Sequence, residues 1–460
     1  MKAIVDPDGA LTRGLVAIRS EFEVPGSFPT SVLAAAEVAA KRAPTRHVDR
    51  TRWPFVTLDP ASSTDLDQAF TIERAGNDLL LHYAIADVAW FVDDGDAVDM
   101  EAWVRGETQY LPDGRAGLYP PVLSEDAASL LPNSPRPAVI FSIRVAPDGG
   151  VRLDGAERAI VRSTAKLAYE SARDADLPVG FAEFADRIEA AENARGASRV
   201  DAPEQEVAAI EGGYELALRP RLLSEERNAA LSLATNLAIA DALQAHGTGL
   251  FRVMAPPDAR AVQRLRFTAR ALGLNWPAEM TLAQLERTLD VADARQAAFV
   301  LAVRRAGTGA SYVPYREGAV PWHAAMAATY AHATAPLRRL ADRYVVRAAL
   351  AIANGQPVSD VVAQAFERLP PVMARADAMG GRIGRAVIDL AEAVMLHSSE
   401  GEVFAAVVTD VDERGVRIQL RDRPVAARVE THGVEPGDGL HVKLIAADPE
   451  RRAVLFARVG

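Results

Sequence analysis

The 460-residue chain contains no cysteine. Disulfides are therefore excluded, and with them every thiolate metal site, from zinc ribbons to iron–sulfur clusters. Any metal must sit on carboxylates, histidines or backbone oxygens, a donor set that suits hard cations such as Mg²⁺ or Mn²⁺. Lysine is nearly as scarce: of 51 basic residues only Lys2, Lys41, Lys166 and Lys443 are lysines, which leaves 47 arginines. Long hydrophobic runs are missing too. No stretch of about 18 uncharged apolar residues occurs, so no membrane-spanning helix is expected. The opening Met1-Lys2-Ala3-Ile4-Val5-Asp6 meets an acidic residue before any apolar run develops, which argues against a signal peptide. A cytoplasmic location is compatible with all of this.

What remains is an ordinary globular composition: 49% hydrophobic, 25% charged, with 31 glycines and 28 prolines. Disordered and collagen-like chains are excluded, and a chain of this length buries a sizeable core without staples. At roughly 150 residues per domain, about three domains are expected, or one large domain with appendages. The net charge of −11 argues against a non-specific nucleic-acid coat. The arginine excess has two readings, a compositional bias of the genome or a set of local phosphate forks, since arginine binds phosphate bidentately.

The hydrophobic pattern divides the chain into three parts. Residues 1–50 read as short helices, one near Leu15–Phe22 and one over Ser31–Arg42 with Thr30 or Ser31 as its cap. They form either a helix-turn-helix or a packing appendage. Residues 51–397 start with strands at Phe55–Leu58, Ala69–Ile72 and Leu79–Ala86, the last two joined by a hairpin turn at Gly76-Asn77-Asp78. Strands follow at Val139–Val145 and Val151–Val161. From about residue 163 the pattern turns mostly helical, with helices expected over Asn228–Ala245, Leu337–Ala353 and Arg375–Leu396. Residues 398–460 hold five short strands (Val403–Val408, Val416–Leu420, Val425–Val429, Leu440–Leu444 and Val454–Phe456), with turns at Glu413-Arg414-Gly415 and Glu435–Gly439. Five strands in about 60 residues suit a small OB-type barrel.

Two segments carry chemistry. In Leu58-Asp59-Pro60-Ala61-Ser62-Ser63-Thr64-Asp65-Leu66-Asp67-Gln68, three carboxylates fall within nine residues, directly after a strand. Extended backbone would project Asp65 and Asp67 to one side. Such close like charges raise each other's pKa unless something neutralises them, and a divalent cation does so. That cation could polarise a phosphodiester and activate water. The bland alternative is a polar loop, because Asp, Ser and Thr favour turns without any metal. The acidic run at Asp93, Asp94 and Asp96 lacks calcium-loop spacing and reads as a solvated turn before a helix. The second segment is Tyr330-Ala331-His332-Ala333-Thr334-Ala335-Pro336-Leu337-Arg338-Arg339-Leu340-Ala341-Asp342. Pro336 suits a first helical turn. Two arginines there oppose the helix dipole, which suggests an anion between them. His332 alone reads as a packing or hydrogen-bonding residue.

Together these segments resemble the catalytic domain of the ribonuclease II and ribonuclease R (RNB-domain) exoribonucleases. The family's first signature stands here as Asp59, Asp65, Asp67 and Ala84-Ile85-Ala86-Asp87. Its second is Tyr330 to Asp342. Between them Tyr110-Leu111-Pro112, Leu123-Ser124-Glu125, Ser129-Leu130 and Ser163-Thr164-Ala165-Lys166-Leu167-Ala168-Tyr169 match in order. The resemblance covers roughly residues 50–397.

It implies an α+β fold: an RNB-type catalytic domain with a mixed sheet and helices, a carboxy-terminal OB-type RNA-binding barrel and a short helical amino-terminal segment. It implies a processive, hydrolytic 3′-to-5′ exoribonuclease that degrades single-stranded RNA to nucleoside 5′-monophosphates, with Mg²⁺, or Mn²⁺ in its place. By the same resemblance Asp67 is the carboxylate most critical for cleavage, Asp59 and Asp65 join it at the metal, and Arg338 clamps the scissile phosphate with Arg339 beside it. Tyr110 and Tyr169 hold the terminal nucleotides, consistent with the sequence-tolerant grip of an aromatic face on a base. Tyr214 is the candidate for a further stacking aromatic.

Three positions depart from the family pattern. The fourth aspartate is Gln68, a glutamate of the late helix is Gly384, and the tyrosine after the arginine pair is Leu340. The family's cold-shock barrels are also expected to be absent, since fifty residues cannot hold two, and tolerance of structured RNA would change with them. Two rival functions follow: an RNA-binding protein on a decayed catalytic domain, favoured by Gln68 and Gly384, and a metal hydrolase of small phosphoesters, disfavoured by the barrel.

Overall fold

A computed structural model of the chain describes residues 2–4, 9–198, 204–210, 213–219, 221–290, 293–307, 309–412 and 415–459. Its centre is a seven-stranded mixed sheet. In spatial order the strands are Ser163–Ala168, Phe55–Asp59, Gln68–Ala75, Asp78–Ala86, Arg136–Val145, Val151–Val161 and Val48–Asp49. The interior pairs are antiparallel, and each edge strand pairs in parallel with its neighbour. The expected hairpin is present. Ala75 faces Asp78 across a two-residue loop, and Gly76 takes the positive φ of 66° that such a turn requires. Asp78–Ala86 is buried almost throughout, as its unbroken apolar run anticipated.

One face of the sheet is covered by helices Leu223–Ala245 and Leu340–Ala353. The first presents Ala230, Ala234 and Ala238, small residues spaced four apart that allow close approach to the strands. A third helix, Asp360–Leu396, has 37 residues and is about 55 Å long. It begins fifteen residues before the expected start at Arg375 and continues through Pro370 and Pro371. Its middle turns, at Ile383, Val387 and Leu390, pack on the helix Ala10–Glu21 through Leu11, Leu15 and Ile18. Gly14 lies at the crossing, where an added Cβ would stand 2.5 Å from Leu390.

The second amino-terminal helix, Thr30–Ala39, packs instead on helix Ala97–Arg105. The two amino-terminal helices thus serve different partners. Pro29 takes the cap position expected of Thr30 or Ser31, and no side chain caps the helix.

The carboxy-terminal strands Val403–Asp412, Gly415–Leu420, Ala426–Val429, Gly439–Asp448 and Ala453–Arg458 close into a five-stranded barrel. Alternate residues point inward: Phe404, Ala406 and Val408, then Val416, Ile418 and Leu420, then Leu440, Val442 and Leu444. Leu396, the last residue of the long helix, is buried in that same core. Residues 413 and 414 of an expected turn lie outside the described residues.

Two expectations need correction. The region from about residue 163 to 397 is mostly helical, as expected, but its opening segment and several later ones are strands. Ser163–Ala168 is an edge strand of the main sheet, and Glu204–Ile210, Gly213–Arg219, Leu250–Met254 and Ala310–Pro314 are strands as well. Ala165-Lys166-Leu167-Ala168 has good helix formers, but parallel pairing with Phe55–Asp59 overrides that weak local preference. The helix expected from Leu337 begins at Leu340. Pro336 instead occupies the second position of a turn closed by Arg338 N–H donating to the Ala335 carbonyl at 3.2 Å, a place that suits its fixed φ.

Candidate active site

The carboxylate loop leaves the sheet at Asp59 and returns at Gln68, and every part of it is tied down. Lys166 Nζ, on the adjacent edge strand, donates to the carbonyls of Ala61 (2.8 Å) and Ser63 (2.5 Å). Ser129 Oγ donates to the Thr64 carbonyl at 2.8 Å and accepts from Leu66 N–H at 2.9 Å. The Asp67 carbonyl accepts from Ala86 N–H at 2.8 Å. The loop is thus held by side chains and backbone from three separate segments, and its carboxylates are preorganised.

Asp67 is 4% exposed. Its Oδ1 accepts from Leu337 N–H at 2.7 Å, and its Oδ2 lies 3.4 Å from Arg338 Nε. The 335–338 turn therefore presents a backbone donor and a guanidinium to one carboxylate. Burial pushes the Asp67 carboxyl up to about 8 despite Arg338 and the Leu337 hydrogen bond. Burial likewise raises Asp59 to about 6, with Arg338 opposing and Asp65 adding to the shift. Asp59 Oδ2 is buried and makes no hydrogen bond.

Asp65, the third carboxylate expected at the metal, instead has both oxygens engaged by protein groups. Arg115 Nη1 lies 2.5 Å from its Oδ1, and Tyr110 Oη donates to its Oδ2 at 3.0 Å. Its neighbours are thus Arg115 and Tyr110, whereas those of Asp67 are Leu337 and Arg338. Among the described residues no three His, Asp or Glu side chains are gathered as a ready cation cage. The donor chemistry nevertheless fits one hard cation. The groups are oxygen-only, Asp59 has an unengaged buried oxygen, and burial of Asp59 and Asp67 disfavours their charged forms unless a positive charge joins them.

Tyr169 follows the edge strand that pairs with Asp59, and its hydroxyl accepts from Asn228 Nδ2 at 2.9 Å. Burial and the neighbouring Asp59 raise its pKa. Tyr110 is 54% exposed, with its hydroxyl turned to Asp65. Arg338 thus neighbours Asp67, Tyr110 neighbours Asp65, and Tyr169 feels the charge of Asp59.

Two expected residues do not join them. Arg339 is engaged by Asp342, which accepts from its Nε at 3.0 Å and its Nη2 at 2.8 Å. Asp342 also accepts from Ala335 N–H at 2.8 Å, so Arg339 and Asp342 brace the turn from below. Tyr214 pairs with Ile4 in a separate three-stranded sheet and packs among the amino-terminal and long helices. A hairpin thus carries Tyr214 to a cluster apart from the carboxylates.

His332, read as a hydrogen-bonding residue, shares a 2.7 Å hydrogen bond with Tyr312 Oη and is held neutral by burial and nearby arginines. Asp96 caps the helix at 97–105 by accepting from Asp99 N–H, and Asp93 and Asp94 pair with Arg42 and Arg347. That acidic run is a turn, as expected. Gln68 turns away from the cluster and accepts from Tyr83 Oη. A Cβ at Gly384 would meet nothing within 4 Å.

Arg115 was not singled out in the sequence. Its signal was present: Tyr110 and Arg115 flank a tight Leu-Pro-Asp-Gly connection and face each other across the ribbon of Gln109–Leu111 and Gly114–Ala116. Lys166 lay within a quoted segment without a role. The strand that aims it at the loop could not be read locally.

The class that these features define is a mixed-sheet domain with a buried carboxylate–arginine site, followed by a closed five-stranded OB-type β-barrel. The comparisons specify it further. Residues 47–354 match the RNB domain, and residues 402–459 match the RNase II-type exonuclease C-terminal S1 domain. The chain belongs to the RNB-domain family. Ribonuclease R of Aquifex aeolicus is 26% identical over 488 residues, covering 95% of this chain and 69% of that protein. The chain spans between 53% and 70% of the length of the ribonuclease R relatives from Aquifex aeolicus, Lactococcus lactis and Thermotoga maritima.

The structure of Mycoplasma genitalium RNase R in complex with ribose-methylated single-stranded RNA superposes with a TM-score of 0.83 at 18% identity, covering 100% of this chain and 79% of that one. Yeast Ssd1, a pseudonuclease, gives 0.67 at 16% identity, covering 93% and 56%. At these identities the superpositions establish the fold. Among the described residues no helix is long and apolar enough to cross a membrane.

Proposed function

We propose that the chain is a cytoplasmic, processive 3′-to-5′ exoribonuclease that hydrolyses single-stranded RNA to nucleoside 5′-monophosphates. In this reading residues 51–397 form the catalytic unit, residues 398–460 an RNA-binding barrel and residues 1–50 a helical appendage. The observation that carries it is buried Asp67, held by Leu337 N–H and facing Arg338, whose charge also acts on Asp59 with its unengaged buried oxygen. Family membership supports the same reaction class.

Asp59 and Asp67 would hold a Mg²⁺ ion, or Mn²⁺ in its place. When bound, that ion supplies Lewis-acid stabilisation of the phosphoryl oxygens and lowers the pKa of water. Arg338 meets the scissile phosphate and offsets the charge that develops there. Leu337 N–H fixes the orientation of the Asp67 carboxylate. Tyr110 and Tyr169 present aromatic faces to the terminal bases, and each hydroxyl is anchored, Tyr110 on Asp65 and Tyr169 on Asn228. Stacking without base-edge hydrogen bonds suits an enzyme that must accept every sequence.

A second reading, an RNA-binding protein on a decayed catalytic domain, is favoured by Gln68, whose side chain is tied to Tyr83 and brings no charge to the cluster. Incubating 5′-labelled single-stranded RNA with the wild type and Asp67→Asn in Mg²⁺ separates the two. Progressive 3′ shortening by the wild type alone supports the nuclease. Binding without shortening in Mg²⁺ or Mn²⁺ supports the second reading.

A further inference from the structure

We infer that Arg115 takes the place of a second cation, so that this site holds one divalent ion, on Asp59 and Asp67, with Asp65 serving as the anchor of Arg115. The inference rests on the metal-dependent reading above for the ion itself. The assignment of Arg115 rests on its own contacts.

Those contacts are not a casual surface pairing. Arg115 Nη1 meets Asp65 Oδ1 at 2.5 Å, while Nη2 meets Glu125 Oε1 at 2.8 Å and donates to Thr64 Oγ1 at 2.7 Å. Thr64 Oγ1 in turn donates to Glu125 Oε2 at 3.1 Å. The guanidinium is thus gripped by the carboxylate loop on one side and by the segment Leu123–Ala127 on the other. Glu125 would hold it in place even if Asp65 were otherwise engaged. With Tyr110 Oη on the other oxygen of Asp65, both oxygens of that carboxylate have protein partners. Asp59, by contrast, keeps a buried oxygen with none. Gln68, adjacent to Asp67 in sequence, contributes an uncharged amide turned toward Tyr83.

Charge matching agrees. Asp59, Asp65, Asp67 and Glu125 face Arg115, Arg338 and Lys166, which leaves one uncompensated negative charge. One divalent ion converts this to a single positive charge, matched to one phosphodiester. A second ion would leave three positive charges, two more than one phosphodiester offsets. A guanidinium on Asp65 supplies positive charge without a coordination shell, and its planar fork fits the carboxylates that hold it.

Arg115 is a positioning residue, and the test counts ions rather than turnover. Free Mn²⁺ is measured by electron paramagnetic resonance against the full chain as wild type, Arg115→Met, Arg115→Lys, and Arg316→Met as an exposed charge control, with the Asp59→Asn/Asp67→Asn double variant as the background. The expected result is one site-specific ion per chain in the wild type and in Arg115→Lys, two in Arg115→Met, and one in Arg316→Met. Thermal unfolding of each variant confirms that it is folded, and Arg115→Gln replaces Arg115→Met if the latter is not.

Two site-specific ions in the wild type, an unchanged count in folded Arg115→Met or Arg115→Gln, or no site-specific ion in any variant would overturn the inference. RNA shortening that proceeds equally well in EDTA would instead defeat the metal-dependent reading, so the two failures are distinguishable.

Discussion

The carboxy-terminal barrel and the carboxylate site are joined to one catalytic framework, yet their residues are held by opposite principles. In the barrel, neighbouring strands supply an alternating apolar core in which Val442 and Leu444 are fully buried, and the partners of most strands lie within a few dozen residues. In the site, Asp59, Asp65 and Asp67 are buried or half-buried carboxylates, and the partners Arg115, Leu337 and Arg338 come from up to about 270 positions away. The barrel gains stability by removing apolar surface from water. The site keeps carboxylates in a low-dielectric pocket where their charge is costly until a cation joins them. Stability and reactivity are thus segregated along the chain.

The sharpest way to break this contrast is at Asp67. Asp67→Asn keeps the side-chain volume but removes the charge, and RNA shortening should fall by about 1,000-fold or more, while RNA binding persists in a filter or anisotropy assay. The matching cut in the barrel is Leu444→Ala. A buried leucine truncated in a closed barrel should cost about 3 kcal/mol, read by denaturant unfolding of the full chain. Catalytic shortening of very short RNA should survive at temperatures where the barrel remains folded.

Next in size is Arg338→Lys, which preserves the charge but loses the fork. It should lower kcat by about 100-fold, with a smaller change in KM if the contact strengthens as charge develops on the phosphate. A steady-state comparison of the two constants decides it.

The smallest effect concerns the junction between the two regions. Glu392, on the long helix and 3% exposed, accepts from Gln205 Nε2 at 2.6 Å and from Ala426 N–H of the barrel at 2.8 Å. Burial raises its pKa to about 7, with Asp389 adding to the shift and Arg385 opposing it. Because the folded state binds this proton more tightly than the unfolded one, the contribution is present below about pH 4.5 and is lost as pH rises through 7. Between pH 5 and 8 the wild type should lose roughly 2 kcal/mol from this group, and Glu392→Gln should flatten that slope in urea unfolding curves.

Much of this was legible before any coordinates. The barrel's five strands follow from alternation over short windows, and the hairpin at Gly76 follows from turn chemistry. Asp59, Asp67 and Arg338 were identifiable from spacing and family resemblance, and in the fold Arg338 lies 3.4 Å from Asp67 and acts electrostatically on Asp59. The edge strand Ser163–Ala168 was not legible, because its local composition suits a helix and only the parallel partner Phe55–Asp59 makes it a strand. The start of the helix after Arg339 was misplaced for a related reason. Pro336 suits both a first helical turn and the second position of a β-turn, and the bridge between Glu107 and Arg339 selects the latter.

The sequence by itself determined which donor atoms this protein can offer: no thiolate, carboxylates clustered after a buried strand, and arginines in place of lysines. Those are properties of residue type and short spacing, and no folding can alter them. Only the tertiary structure decided how the donors are divided. Asp67 meets Leu337 and Arg338, Asp65 meets Arg115 and Tyr110, Arg339 turns to Asp342, and Tyr214 is carried to another sheet. Each of these pairings joins side chains through the register of a strand or the closing of a turn, and charge–charge energies depend on distance and burial, which exist only once the chain has folded.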